Sequence, residues 1–406
     1  MSQYPTYKLG EIAKIYNGNS INAEEKEKKY KGVDGRNYIG TKDIDFECSV
    51  NYNNGVKIPY DEGNFKIAPA ESVLVCAEGG SAGKKSAFIT EDVCFGNKLF
   101  AITNNQGLFD GKYVFYYTRY KRFFDLFKNE LSGLIGGVSS KKFGEIPIPL
   151  PPLATQRAIV SRIETLFAEL DKAVQHLRTA QQQLKTYRQA VLNHWLNNDE
   201  GKWEMVKLGE VLQKIEAGKS FRCNEKVPAL HEKGIVKISA VTWGEFMEDE
   251  CKTIINEDLY NPQFAIHKGD LLISRANTIQ LVGNCVLVRK EPKRNIMLSD
   301  KVLRLVIRDN VDSDFILYSL RTSKSRTQIQ NMSTGNQDSM RNIGQDRIKK
   351  IEIPLPPLTE QQRIVQEIES RLSQATASET YIENALQQAE ALRQSILKKA
   401  FSGELV

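Results

Sequence analysis

Three groups of residues have the types and spacing to grip a polyanion. The first is the loop Glu78-Gly79-Gly80-Ser81-Ala82-Gly83-Lys84-Lys85-Ser86. A nucleotide P-loop needs four residues between its glycines and Ser or Thr after the Lys. Here three residues separate Gly79 from Gly83, and Lys85 follows Lys84, so that chemistry is excluded. The pattern suits a flexible loop offering backbone N–H groups, Lys84 and Lys85 to phosphates. An ordinary hairpin turn is the competing reading. The second-half counterpart is Arg275-Ala276-Asn277-Thr278-Ile279, which adds Arg275 and Asn277. The second group lies before two proline tracts. It contains Ser139, Lys141 and Lys142 in Gly136–Lys142, and Asn336, Gln337 and Arg341 in Ser333–Asn342. Asn, Gln and Arg make bidentate contacts to base edges, and Ser and Lys add phosphate contacts. A plain surface loop has the same composition. The third group is Lys98 and Lys301, each beside a strand; structural surface lysines are the alternative.

Catalytic patterns are missing. The four histidines (His176, His194, His231, His267) have no metal-ligand spacing. There is no GxSxG elbow, no GxGxxG after a strand, no Pro-Asp dipeptide, and no Asn-Pro-Pro-aromatic or Asp-Pro-Pro-aromatic tetrapeptide. The six cysteines are scattered without CxxC and read as reduced thiols of a cytoplasmic protein. Net charge is +6, and residues 275–350 hold 15 basic against 7 acidic side chains, enough to neutralise several phosphates if they share a face. A solvated basic surface would read the same way.

These groups must be positioned by a repeated architecture. Ile148-Pro149-Leu150-Pro151-Pro152-Leu153 recurs as Ile353-Pro354-Leu355-Pro356-Pro357-Leu358, and Lys8-Leu9-Gly10-Glu11 recurs as Lys207-Leu208-Gly209-Glu210. The order is module, helix, module, helix. Residues 1–147 and 202–352 read as mixed α/β modules. Their strands include 72–76, 99–102, 269–274, 285–288 and 302–307, with helical stretches from Tyr113 and Phe315 whose aromatics suit a core.

Each tract leads into a helix of about 40 residues, roughly 60 Å long. The first carries a heptad seam at Ile159, Ile163, Leu166, Leu170, Ala173, Leu177, Ala180, Leu184, Tyr187 and Val191. The same frame in the second selects Ile364, Ile368, Arg371, Ala375, Ser378, Ile382, Ala385, Ala389, Leu392 and Ile396. The prolines set the helix starts, and Gly201 and Gly403 are candidate stops. The natural partner for each seam is the other helix; packing on the helix's own module or in a homodimer is the alternative.

Apolar residues make up 41% and charged residues 26%, an ordinary composition for two to four domains. No apolar run approaches the roughly 18–20 residues of a membrane span. Residues 1–7 show no basic-then-apolar pattern, so a cleaved secretory signal is not expected.

Two diverged modules, each closed by Ile-Pro-Leu-Pro-Pro-Leu and a long helix, resemble the specificity subunit of type I restriction-modification enzymes. The ending Gln394-Ser395-Ile396-Leu397-Lys398-Lys399-Ala400-Phe401-Ser402-Gly403-Glu404-Leu405 and the stretch Lys268-Gly269-Asp270-Leu271-Leu272-Ile273-Ser274-Arg275 resemble that family too. Ala154-Thr155-Gln156 departs from it, since the family usually has Glu before the Gln; Thr359-Glu360-Gln361 keeps that Glu.

The resemblance implies an α+β, pseudo-twofold architecture of two mixed α/β target recognition domains separated by two long antiparallel coiled-coil helices. The expected divisions are 1–150 and 201–355 for the recognition domains and 151–200 and 356–406 for the spacer helices. It implies a non-catalytic subunit that reads an asymmetric, split site in double-stranded DNA. It also implies two adenine methyltransferase subunits, which bind S-adenosylmethionine, and motor-nuclease subunits as partners, with no membrane. The competing class is a coiled-coil scaffold whose modules bind other proteins.

Overall fold

A computed structural model describes residues 3–104, 106–131, 136–198 and 200–406. The chain forms two compact units, Met1–Arg178 with Glu383–Val406, and Thr179–Ile382. Each contains one module and a stretch of both long helices. Among the described residues, no helix is long and apolar enough to cross a membrane.

In the first unit, Lys14–Asn17, Leu99–Thr103, Val73–Cys76 and Ser86–Phe88 form an antiparallel sheet in that order. Val73–Cys76 and Leu99–Thr103 are buried at every residue. Their apolar runs are unbroken because both faces are covered. Val73, Val75, Phe100 and Ile102 meet the helices, with Tyr113, Tyr117 and Phe123 among the neighbouring core. Leu74, Leu99 and Ala101 join Ile39, Val93 and Phe95 of a second sheet. That sheet orders Lys57–Ile58, Arg36–Ile39, Val93–Phe95 and Ile67–Ala68 around a parallel central pair.

The second unit repeats the plan. Leu212–Ala217, Val302–Ile307, Leu271–Ser274 and Cys285–Leu287 make one sheet. Cys223–Asn224, Cys251–Ile254, Lys233–Val236 and Asn295–Met297 make the other. Helix Ser313–Arg321 stands where Gly111–Thr118 stands in the first unit. Cys76, Cys94, Cys251 and Cys285 fill core space, and burial pushes the thiols of Cys94 and Cys251 up to about 11, away from thiolate chemistry.

The repeated sequences are the two halves of one clasp. Thr6–Lys8 pairs antiparallel with Pro147–Pro149, and Glu204–Lys207 with Glu352–Leu355. Two-stranded pairing tolerates proline because its outer edge needs no donor. Leu9 N–H then donates to Ile146 O (3.0 Å) and Leu208 N–H to Ile351 O (2.7 Å). Glu11 and Glu210 accept from the backbone N–H of Lys8 and Lys207, at 2.8 and 3.1 Å. Gly10 lies against Gly144, and a Cβ on Gly209 would stand 3.0 Å from Lys349 Cβ, so the clasp leaves little room for a larger residue there.

One residue ties each clasp to its helix. Gln156 is fully buried: Oε1 accepts from Asp110 N–H (2.9 Å), and Nε2 donates to Pro151 O (2.8 Å) and Leu108 O (3.1 Å). Gln361 does the same for Asp312 N–H (2.9 Å) and Pro356 O (2.8 Å). Asp110 and Asp312 are themselves the N-caps of Gly111–Thr118 and Ser313–Arg321. The Gln after each Pro-Pro pair therefore fixes helix entry and module helix together. Before it, Glu360 is bonded by Arg363 (2.8 Å), an ion pair that Thr155 cannot copy.

The long helices run Leu153–Trp195 and Leu358–Ser402. Within the first unit, Asp171 bonds Arg393, whose guanidinium also lies 5.2 Å from the Phe167 ring. Within the second, Arg188 donates to Glu379 (2.9 Å) and Thr376 (3.0 Å), while Trp195 lies under Arg363 and Arg371. Rising numbers on one helix meet falling numbers on the other, so the pair is antiparallel.

The seam differs from the expected one at alternate positions. Leu170, Leu177, Leu184, Ala375, Ile382 and Ala389 lie inward, but the intervening places are taken by Phe167, Val174, Arg188, Leu372, Glu379, Leu386 and Arg393. Ala173, Arg371, Ser378 and Leu392 are exposed instead. Ion pairs explain part of this: Arg188, Glu379 and Arg393 take the places of Tyr187, Ser378 and Leu392, while elsewhere the neighbouring apolar residue (Phe167, Val174, Leu372, Leu386) is the one turned inward. Gly403, with φ 93°, follows the second helix directly. Gly201 does not stop the first; the chain turns earlier, where Asn198 Oδ1 accepts from Trp203 N–H (2.8 Å) and Asn198 Nδ2 donates to Trp203 O (2.6 Å).

Candidate nucleic-acid interface

In the first unit the candidate residues gather around the end of strand Val73–Cys76. Ala77 N–H donates to Lys98 O (2.8 Å), Val138 N–H to Ala77 O (3.1 Å) and Gly79 N–H to Gly136 O (3.1 Å). Those three bonds bring Lys98, the Gly79–Lys85 loop and the Ser139–Lys142 segment side by side. Lys84 is exposed, its Nζ donating to Gly80 O at 3.2 Å. Lys85 is half-buried, reaching Thr41 O (3.3 Å) and lying 4.7 Å above the Phe46 ring. Lys98 stands 4.0 Å from Glu78, and Lys142 3.7 Å from Glu130. Lys141 is exposed, whereas the Ser139 hydroxyl caps helix Ser140–Gly144 at Lys142 N–H.

Four of the loop amides expected to be free are bonded within the loop and to the strand before it. The N–H groups of Ala82, Gly83, Lys84 and Lys85 donate to Gly79, Cys76, Ser81 and Ser81 oxygens. With those four amides taken, the charged groups the loop presents are its lysines. Gly83 (φ 68°) passes so close to Phe127 that a Cβ would stand 2.5 Å from that ring, and Gly283 (φ 73°) does the same against Ile329. The second-unit counterpart of the loop therefore extends to Gly283, well past Ile279.

In the second unit the candidates surround the end of Leu271–Ser274. Arg275 N–H donates to Lys301 O (2.9 Å), and Ile343 N–H to Arg275 O (2.8 Å). Ala276–Asn277 pairs with Met340–Asn342, which forms a hairpin with Thr334–Gln337. The expected irregular polar stretch is thus a three-stranded ribbon. Asn336 and Gln337 are exposed at its tip. Arg341 is committed elsewhere: Nε donates to Ser333 Oγ (3.1 Å), Nη1 to Gly335 O (3.1 Å) and Nη2 to Ser333 O (2.8 Å). It braces the ribbon from which Asn336 and Gln337 project. Asn277 Nδ2 lies 3.4 Å from Thr242 Oγ1, and Lys301 stands 3.0 Å from Asp300.

The basic excess of residues 275–350 is not one open face. Arg289 pairs with Asp314 and Glu369, Arg294 with Asp249, and Arg304 with Glu216 and Asp270. By contrast, Arg321 donates to Gly244 O and Cys285 O (2.6 and 2.8 Å), and Arg326 to Gln280 O and Val282 O (3.0 and 2.8 Å). Carbonyl partners hold these guanidiniums without cancelling their charge, and Arg326 Nη1 is buried without a partner, so positive potential is built in behind the Thr242–Gly244 and Gln280–Cys285 loops.

A family description fits this chain twice, the type I restriction modification DNA specificity domain, over residues 1–177 and 200–388. The chain belongs to that family. It is similar to the EcoKI specificity subunit of Escherichia coli K12, 28% identical over 84% of this chain and 76% of that one. It is also similar to the StySPI specificity subunit of Salmonella potsdam, 25% identical over 84% and 76%. Its fold matches a chain from a structure of complex assembly and conformational transition of the type I restriction-modification system, with a TM-score of 0.77, 19% identity and coverage of 99% and 98%. It also matches the HsdS subunit from Thermoanaerobacter tengcongensis, with a TM-score of 0.59, 20% identity and coverage of 99% and 97%. This specificity subunit is non-catalytic.

Proposed function

We infer that this specificity subunit reads an asymmetric, two-part sequence in double-stranded DNA, one part with each module. The observation that carries the reading is a difference within a repeat. The same strand end presents exposed lysines in the first unit and an Asn-Gln ribbon tip in the second. Equivalent places carrying unlike chemistry suit unlike half-sites. The paired helices then set the unread gap between the halves. On the same reading the chain docks two methyltransferase subunits, whose S-adenosylmethionine methylates adenine, and through them motor-nuclease subunits. The work takes place in the cytoplasm.

Charge reversal tests the phosphate side of the reading. Lys84→Glu with Lys85→Glu should weaken binding by a similar factor on target and shuffled duplexes. It should also flatten the salt dependence by about 0.9 log units per lost phosphate contact. Fluorescence anisotropy of the assembled complex between 50 and 200 mM salt reads both. Unchanged slope and affinity would remove these lysines from the interface; absence of any salt-sensitive DNA binding by the unaltered complex would favour a protein-binding scaffold.

A further inference from the structure

Each module holds a large aromatic side chain out in water on a pinned loop, and these two, unlike the equally exposed Tyr60, lie at the same place in the repeat. Phe46 is 63% exposed and Trp243 70% exposed. Each lies five residues after the first residue of a short 3-10 helix, Thr41–Asp43 or Ile238–Val241. Neither helix carries a sequence signal that singles these aromatics out.

The loops prevent either ring from folding back. Around Phe46, Asp45 N–H donates to Ser49 O (3.1 Å), Ser49 N–H to Asp45 Oδ1 (2.8 Å) and Cys48 N–H to Asp45 O (3.3 Å). Cys48 takes φ 70°, a left-handed conformation that closes the turn. Around Trp243, Met247 N–H donates to Ala240 O (3.0 Å), Asn284 Nδ2 to Thr242 O (2.8 Å) and Arg321 to Gly244 O (2.6 Å). A rigidly presented apolar ring loses little entropy when a partner covers it.

The surroundings say what that partner is. Lys85 lies over the Phe46 ring with Lys84 next to it, and the Arg321 guanidinium, uncancelled by any carboxylate bond shown above, sits behind Trp243. Asn277, beside the ribbon, reaches Thr242. An apolar plate with cations beside it, and with Asp45, Glu47 and Glu245 nearby in the chain, fits a duplex, whose stacked bases lie inside a polyanionic backbone.

We propose that Phe46 and Trp243 are wedges, each entering or stacking on one base step of its own module's half-site. The inference rests on the DNA-reading function above and deepens it: part of the specificity comes from how readily a given base step unstacks, at a position read without hydrogen bonds.

The test uses the full complex and a duplex carrying its adenine-methylation target, mapped from cellular DNA. 2-Aminopurine, whose emission follows its stacking, replaces each base in turn except the methylated adenines. The unaltered complex should change emission at one step in each half. Phe46→Ala should abolish the change in one half only and Trp243→Ala in the other only, each weakening target binding about 10- to 100-fold. Trp243→Phe should keep the signal. Both sites are exposed, so the alanine variants should melt with the parent. If the unaltered complex binds the target with no stacking change, or both alanine variants behave like the parent, the wedges are refuted while DNA reading stands. If the unaltered complex binds no duplex, both fall.

Discussion

Arg304→Ala should cost the second unit about 3–5 kcal/mol, the range for removing one partner of a buried ion cluster. Arg304 bridges Glu216 (2.9 Å) and Asp270 (3.1 Å) and donates to Ala265 O. Its contact with Asp270 is an ion pair whose angle falls short of a hydrogen bond. Burial already holds the Asp270 carboxyl above its ordinary range, although Arg304 and the His267 backbone pull it down. Without Arg304 the Asp270 carboxylate loses its counter-ion and faces Glu216, which keeps Lys214 at 2.6 Å. The sign of the pH effect follows: a carboxyl raised in the folded state binds its proton more tightly there than in the unfolded chain. The deficit should therefore be full near neutrality and shrink as pH falls through the raised value. Urea melts of parent and variant between pH 4.5 and 7.5 read both.

The first unit shows that the fold itself does not need these charges. Tyr16 pairs with Ala101 where Glu216 pairs with Arg304, and Ser72 stands in the place of Asp270. The triple change Glu216→Tyr, Asp270→Ser, Arg304→Ala should therefore recover much of the loss. A triple variant as unstable as Arg304→Ala would show that the cluster is required by something beyond its own pairing.

Asn336→Ala combined with Gln337→Ala should lower affinity for the methylation target by roughly 2–4 kcal/mol, about 30- to 1000-fold, with little effect on shuffled DNA. Both side chains project from the ribbon tip, so their loss should not unfold the unit. Arg341→Lys acts by another route. A lysine cannot reproduce three bonds to Ser333 and Gly335, so the ribbon should loosen and become open to proteolysis at 335–340 while the melting temperature hardly moves. Equal losses on target and shuffled DNA in the Asn336/Gln337 variant would reassign the tip to phosphate contacts.

What could be read in the residues depended on how local the signal was. The proline tracts, the long helices and the doubly buried strands announce themselves through backbone restriction, length and apolar runs. The second sheet of each unit does not, because strands such as Ile67–Ala68 are two residues long. The seam was misplaced at alternate positions partly because Arg188–Glu379 occupies it, to which hydrophobic counting is blind, and partly because adjacent apolar pairs such as Leu166-Phe167 and Ala173-Val174 fit either count. The ribbon of Thr334–Asn342 lacks apolar alternation and is held by Arg341 and by pairing with Ala276–Asn277, a partner distant in sequence. Phe46 and Trp243 carry no signal of their own: a single aromatic reads as core until its loop is seen to be pinned outward.

The most direct measurement is a methylated-adenine map of cellular DNA, taken with this chain and then with one whose residues 202–352 are exchanged for the corresponding module of a relative. The account expects a two-part methylated sequence, with one part replaced after the exchange and the other part and the gap preserved. A map in which both parts change together, or neither does, would contradict separate reading by the two modules.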